Sequence, residues 1–226
     1  MQLAKQALDV GLYTNQREAM LEFWQQTVGL EFDELLPLGG GVHQLRHKIG
    51  ESILKINHPR DPLPAAPPSG YVELAIASAN VDAPRALEDP DGNRVVLVPP
   101  GHDGIDQLEI RLAVRNAAAH AHFYGTSLQL PPGGLDNQYR CGASLIRFKE
   151  DPAVTVDPAQ RGPGFRYTTI QVYDVVSEHA GILERDGREG SAPVRLGEVA
   201  YISFVRDPDG NWIEISQRKS LTGSLE

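Results

Sequence analysis

One pentapeptide occurs twice in this chain and dictates much of what it can fold into. Asp89-Pro90-Asp91-Gly92-Asn93 runs into Val95-Val96-Leu97, and Asp207-Pro208-Asp209-Gly210-Asn211 runs into Ile213-Glu214-Ile215. Each copy reads as a tight turn, with glycine free to take positive φ, feeding a final strand. A second repeat lies at a spacing of 100 residues: Leu8-Asp9-Val10-Gly11-Leu12, Phe23-Trp24 and Val28-Gly29-Leu30 return as Leu108-Glu109-Ile110-Arg111-Leu112, Phe123-Tyr124 and Leu128-Gln129-Leu130. A fixed internal period means that one structural unit is used more than once.

Both copies of the longer repeat read as a strand followed by a helix. Leu8, Val10 and Leu12 alternate with Asp9, Gly11 and Tyr13, so one face is buried and the other is free. In the helix, Asn15 is placed to cap with Glu18 three residues on, and Met20, Phe23, Trp24 and Val28 form an apolar stripe. His120, Phe123, Tyr124 and Leu128 take the same places in the second copy, and these aromatics are expected in the core. Ahead of each pentapeptide lies another alternating strand, Val72–Ile76 and Tyr167–Val172. The chain is thus four related units. Only 16 positions separate Glu73 from Asp89, against 40 between Tyr167 and Asp207, so unit two has lost most of its helix and middle strands. Proline-rich joints fall at Pro59–Pro68, Pro99–Asp103 and Asp151–Pro163.

Composition narrows the partners. A formal net charge of -9 and a pI near 5.3 disfavour a nucleic-acid backbone and favour a small-molecule ligand. No apolar stretch approaches the roughly 20 residues that cross a bilayer, and Met1-Gln2-Leu3-Ala4-Lys5 lacks the apolar core of a signal peptide. The expectation is a cytoplasmic protein with no membrane partner, monomeric or homodimeric. The single cysteine, Cys141, excludes an internal disulfide and a thiolate-cluster zinc site, and reads as core filler.

On the Asp207-to-Ile215 ending, the strand-plus-helix repeats and the four-unit arrangement, the chain resembles the vicinal-oxygen-chelate superfamily of glyoxalase I, bleomycin-resistance proteins and extradiol dioxygenases. The resemblance implies an α+β fold of tandem strand-helix-three-strand modules forming two cup-shaped half-barrels. The expected division is an N-terminal pair of modules, 1–100, with a degenerate cup, and a C-terminal pair, 101–226, with the active cup. In such proteins the ligands of a divalent metal come from the first and last strands of paired modules. Carried over, these positions are Glu109, Tyr167, Arg147 and Glu214 in the C-terminal cup, and Asp9, Lys55, Glu73 and Val96 in the N-terminal one. Neither set contains a histidine. Extradiol dioxygenases present two histidines and a glutamate, of which only Glu214 remains, and this departure speaks against iron-dependent ring cleavage.

A carboxylate between Ile213 and Ile215 faces the cup if they face the helices, and there it needs a partner. Three partners stay open for Glu214: a divalent ion shared with Glu109, for which hard oxygen ligands favour magnesium, manganese or calcium; an ion pair with Arg147 or Arg111; or a proton. For catalysis, Glu109 or Glu214 serves as the base and Tyr167 as a proton donor. Arg111 and Arg147, with Thr169, Gln171 and Trp212, form the substrate-binding set. His43 and His47 share one face of a strand but lack an acidic neighbour at fixed spacing, so they read as structural, as do the helical His120, His122 and His179. Gly39-Gly40-Gly41 reads as a turn, and the tail from Gln217 as a mobile polar exit. Two functions remain: an isomerase, lyase or dioxygenase acting on a small oxygenated anion, or a metal-free binding or sequestration protein similar to bleomycin-resistance proteins.

Overall fold

A computed structural model describes residues 1–225. Unit one comprises β1 (Leu3–Tyr13), α1 (Arg17–Glu22), β2 (Glu31–Pro37), β3 (Val42–Ile49) and β4 (Ser52–Pro59). Unit two retains β5 (Tyr71–Ala77), β6 (Arg85–Glu88) and β7 (Arg94–Val98) and, among the described residues, no helix. Unit three contributes β8 (Leu108–Val114), α2 (Ala117–His122), β9 (Gln138–Cys141) and β10 (Ser144–Glu150). Unit four contributes β11 (Gly164–Val172), α3 (Val175–Glu184), β12 (Arg188–Leu196), β13 (Ala200–Arg206) and β14 (Trp212–Arg218). Helices α1 and α2 both end in a π-helical turn, at Phe23–Thr27 and Phe123–Ser127.

The strands form two sheets, and the units pair differently from their order along the chain. One sheet runs β12-β13-β14-β11-β1-β4-β3-β2 and joins units four and one; the other runs β6-β7-β5-β8-β10-β9 and joins units two and three. The expected pairing within 1–100 and within 101–226 is therefore not the one formed. Every unit opens with an alternating strand whose edge can accept any of the others, so the pattern alone does not select a partner. Both longer proline-rich joints carry the chain from one sheet to the other, whereas Pro99–Gln107 connects β7 and β8 within one sheet, on either side of β5. We call the sheet of units one and four the outer cup and that of units two and three the inner cup.

The outward faces of both sheets share one core with the helices, including Leu8, Val10, Ile110, Ile170, Ile213, Met20, Trp24 and Tyr124. Each fully buried aliphatic side chain of this kind contributes about 1.5–3 kcal/mol. The sheets are also stitched directly: Ser144 Oγ accepts from Leu8 N at 3.1 Å and lies 2.8 Å from Ser52 Oγ. Gly142 sits against the backbone of Gln6 with φ +60°, where a Cβ would collide with main chain. The two repeated turns are superposable in chemistry. Asp89 Oδ1 accepts from Asp91 N and Asn93 N, as Asp207 Oδ1 does from Asp209 N and Asn211 N. Each closes with glycine at positive φ, 82° and 86°.

Two local expectations change. Asn15 does not cap α1: its Oδ1 accepts from Leu63 N at 2.7 Å and its Nδ2 reaches Pro59 O and Asp61 O, so it fastens the proline-rich joint instead. The tail is not a simple exit, because Lys219–Thr222 forms α4 and Leu225 is buried.

Candidate functional site: two cups on one register

Strand register determines which side chains meet. Across the central seam of the outer cup, Asp9 lies opposite Thr169 and Gly11 opposite Tyr167; in the inner cup, Glu109 lies opposite Ala75 and Arg111 opposite Glu73. On the flanking strands Lys55 pairs with Gly11 and Arg147 with Arg111, while Glu214 pairs with Thr169 and Val96 with Ala75. Lys55 and Arg147 are thus equivalent positions, as are Asp9 and Glu109, Tyr167 and Glu73, and Glu214 and Val96.

The outer cup has a polar floor. Lys55 Nζ donates to Thr169 Oγ1 at 2.6 Å and to Glu214 Oε2 at 3.3 Å, and Thr169 Oγ1 donates to the same carboxylate oxygen at 3.0 Å. Burial pulls the Lys55 ammonium below its ordinary range, against the charges of Glu214 and Asp9. Asp9, fully buried, accepts from Lys5 Nζ at 2.6 Å and Ile53 N at 2.9 Å through Oδ1, while Oδ2 has no hydrogen-bond partner. The ring of Tyr167 lies flat over Gly11, where any Cβ would meet it. Its hydroxyl accepts from Asn57 Nδ2 at 3.1 Å and Gln44 Nε2 at 3.5 Å. Burial, with Glu214 nearby, raises the phenol well above its usual value and keeps its proton in place. Gln171 is buried with Oε1 unpartnered. Trp212 stands at the rim, its ring beneath the Arg206 guanidinium at 3.9 Å and its Nε1 donating to Pro158 O.

The inner cup has an apolar floor of Ala75, Val96, Val98, Ile105 and Leu145. Above it stands an arginine–carboxylate lattice. Glu109, fully buried, accepts from Arg111 Nε at 2.6 Å and Gln138 Nε2 at 2.5 Å, and Arg147 Nε lies 3.2 Å away. Arg111 reaches over to Glu73, which also holds Arg94, and Arg147 Nη1 donates to Asp103 at 3.2 Å. Burial would lower Arg111, but the hydrogen bond and charge of Glu109, joined by Glu73, outweigh it. A cavity of about 520 Å³ opens here, lined by Arg94, Arg111, Arg147, Lys149 and Glu73.

The candidate residues read from sequence therefore divide. Glu109, Arg111 and Arg147 meet in the inner cup; Tyr167, Thr169, Gln171 and Glu214 belong to the outer one. Glu109 and Glu214 lie on different sheets, so they do not form a shared metal pair, and Glu214 finds Lys55 in place of Arg147 or Arg111. Asp9, Lys55 and Glu73 were legible as cup-facing by strand alternation; Arg94, Asp103 and Gln138 were missed, since they come from the first residue of β7, a loop and the short edge strand β9. His43 is exposed, and His47 is buried against Gln25 and Phe32, where burial pushes its ring down to about 4. His120 packs between Asn116 and the turn carboxylates Asp207 and Asp209. Cys141 is buried, which pushes its thiol up to about 12.

Residues 104–215 match the family model of the Glyoxalase/Bleomycin resistance protein/Dioxygenase superfamily. Among solved structures, a point mutant of glyoxalase I from Zea mays superposes with a TM-score of 0.76 at 12% identity, covering 100% of this chain and 96% of that one. Unmutated glyoxalase I from Zea mays gives 0.74 at 12%, covering 99% and 96%. A candidate dioxygenase from Bacillus subtilis gives 0.68 at 11%, covering 96% and 85%. No curated protein sequence matches. The fold is that of curled α+β modules paired into cups, and residues 104–215 carry a domain of the Glyoxalase/Bleomycin resistance protein/Dioxygenase superfamily.

Members of this superfamily often use a divalent metal. The four positions that would hold it here are Asp9, Lys55, Tyr167 and Glu214 in the outer cup and Glu109, Arg147, Glu73 and Val96 in the inner cup. They do not fit one. Each set carries a cationic side chain already engaged with a carboxylate, and at ~4 Å a further positive charge is repelled by about 4 kcal/mol per unit charge at an effective dielectric of 20. Among the described residues no three of His, Cys, Asp and Glu converge to hold an ion.

Proposed function

We propose that the protein is a metal-independent binder of a small organic anion, which enters the inner cup and pairs with Arg94, Arg111 and Arg147. The observation that carries this reading is the cavity of about 520 Å³ lined by Arg94, Arg111, Arg147 and Lys149, with Glu73 the one carboxylate of its lining. That volume is in the range of small-molecule sites, and guanidinium forks pair bidentately with carboxylates. Glu73 and Glu109 hold the forks in place before the ligand arrives, so less conformational entropy is lost on binding. Val72, Leu112 and Phe148, which also line the cavity, would meet the hydrocarbon part of the ligand.

The same geometry favours sequestration over turnover in this cup. Glu109 is engaged by two arginines and a glutamine, and a carboxylate so held is a poor general base. Turnover is better supported in the outer cup, where the Glu214 carboxylate is partly exposed and the Tyr167 hydroxyl accepts two hydrogen bonds while retaining its proton. In that second reading Glu214 is the base and Tyr167 the donor.

Calorimetric titration with a panel of 2-oxo and 2-hydroxy carboxylates tests the primary reading. At least one is expected to bind, with a loss of about tenfold in Arg94→Ala, since truncating a partly solvated ionic contact removes about 1–1.5 kcal/mol. Binding that is unchanged in both Arg94→Ala and Arg147→Met would sink the inner-cup assignment. Loss of turnover with binding retained in Glu214→Gln would instead support chemistry in the outer cup.

A further inference from the structure

We infer that Lys55 is the resident cation of the outer cup, an ammonium group standing where relatives of this fold place a metal ion. Three observations converge. Lys55 comes from the last strand of unit one, a position that points at the same centre as Asp9, Tyr167 and Glu214. Its Nζ is bonded to Thr169 Oγ1 and Glu214 Oε2, so the ammonium spans the two strands β11 and β14 as a shared ion would. The equivalent position in the inner cup is also basic: Arg147 there lies on the buried Glu109 as Lys55 lies on Glu214. Of the four equivalent pairs, the cups agree at this basic one and at the first-strand carboxylates Asp9 and Glu109, and differ at the other two.

The chemistry of the exchange is direct. An ammonium supplies a positive charge and three N–H donors, enough to neutralise a buried carboxylate and to hydrogen-bond an oxygen atom brought beside it, but it offers no orbital for coordination. Two of its donors are spent on Thr169 and Glu214. Asp9 adds a second carboxylate to the centre, paired through Oδ1 with Lys5 and with Oδ2 buried without a hydrogen-bond partner. A cation supplied by a side chain is independent of metal supply and insensitive to chelators.

Removing the ammonium should uncover the metal position. The full-length wild type and Lys55→His, the latter checked by circular dichroism, are each titrated with Mn²⁺ and Ni²⁺ by calorimetry. The wild type is expected to bind neither ion in a manner that depends on Glu214, and chelator is expected to leave its melting temperature unchanged. Lys55→His is expected to gain one site at least 100-fold tighter than wild type, and to lose it again when Glu214→Ala is added. The inference is overturned if wild type binds one equivalent that Glu214→Ala abolishes, or if folded Lys55→His binds no more tightly than wild type. Should the histidine variant not fold, the wild-type and Glu214→Ala titrations decide the question alone.

Discussion

The outer and inner cups are built on one register yet hold opposite contents. Where the outer cup sets an aromatic ring over a glycine, Tyr167 on Gly11, the inner cup sets an ion pair, Glu73 with Arg111. Where the outer cup has Glu214, the inner has Val96. The outer floor is polar and crowded, whereas the inner floor is apolar with charge held above it. Units two and three contribute three strands each, against four each from units one and four, so the inner cup has a six-stranded sheet in place of eight. The fold thus fixes where side chains point and leaves open what they are; a few exchanges at equivalent positions turn a packed polar centre into an arginine-lined pocket.

The largest effect should separate the two first-strand carboxylates. Glu109→Ala removes a fully buried carboxylate from two half-buried guanidinium groups and from Gln138, and should cost about 3–5 kcal/mol in urea unfolding. Asp9→Ala removes a carboxylate that is only half satisfied and should cost about 1–3 kcal/mol. Equal losses would mean that the cups are energetically alike. Next in size, Gly11→Ala forces a methyl group into the Tyr167 ring and should destabilise by about 1–3 kcal/mol; a neutral result would show that the ring can leave β1 freely.

The smallest effect concerns the outward side of the same units, where Met20 of unit one answers to His120 of unit three. Burial pulls the His120 ring down, but Asp207, the Asn116 carbonyl and Asp209 together raise it above its ordinary value of 6.5. Its folded-state affinity for a proton is therefore the higher one. The stability it contributes is complete below pH 6.5 and is lost as pH rises through the raised folded value. Urea midpoints measured from pH 6 upward should show this decline in wild type and a flatter profile in His120→Met; parallel profiles would remove His120 from the account.

The fold was legible because its signals are local. The repeated Asp-Pro-Asp-Gly-Asn turns and the alternating strands fix element type, and strand parity placed Asp9, Lys55, Glu109, Arg111 and Glu214 on the polar faces of their strands. Which cup was not legible, because pairing between units depends on contacts a hundred residues or more apart, as between Asp9 and Thr169. The one usable sign was the length and stiffness of Pro59–Pro68, which suits a crossing between sheets better than a hairpin return. Glu214's true partner, Lys55, was hidden for the same reason: both faced inward, but they were assigned to different halves.

The nested pairing also orders the birth of the molecule. All strands of the inner cup lie between Tyr71 and Glu150, so this sheet can assemble while the chain is still being made. The outer cup draws β1 from one end and β14 from the other, and must wait on the ribosome for the last strand. Contacts so distant in sequence are slow to form, because the intervening loop must be closed before they are rewarded. Until then Lys55 and Asp9 stand in an unfinished half, each without the strands that will carry Thr169 and Glu214 to it. The outer centre is a clasp, fastened once and last.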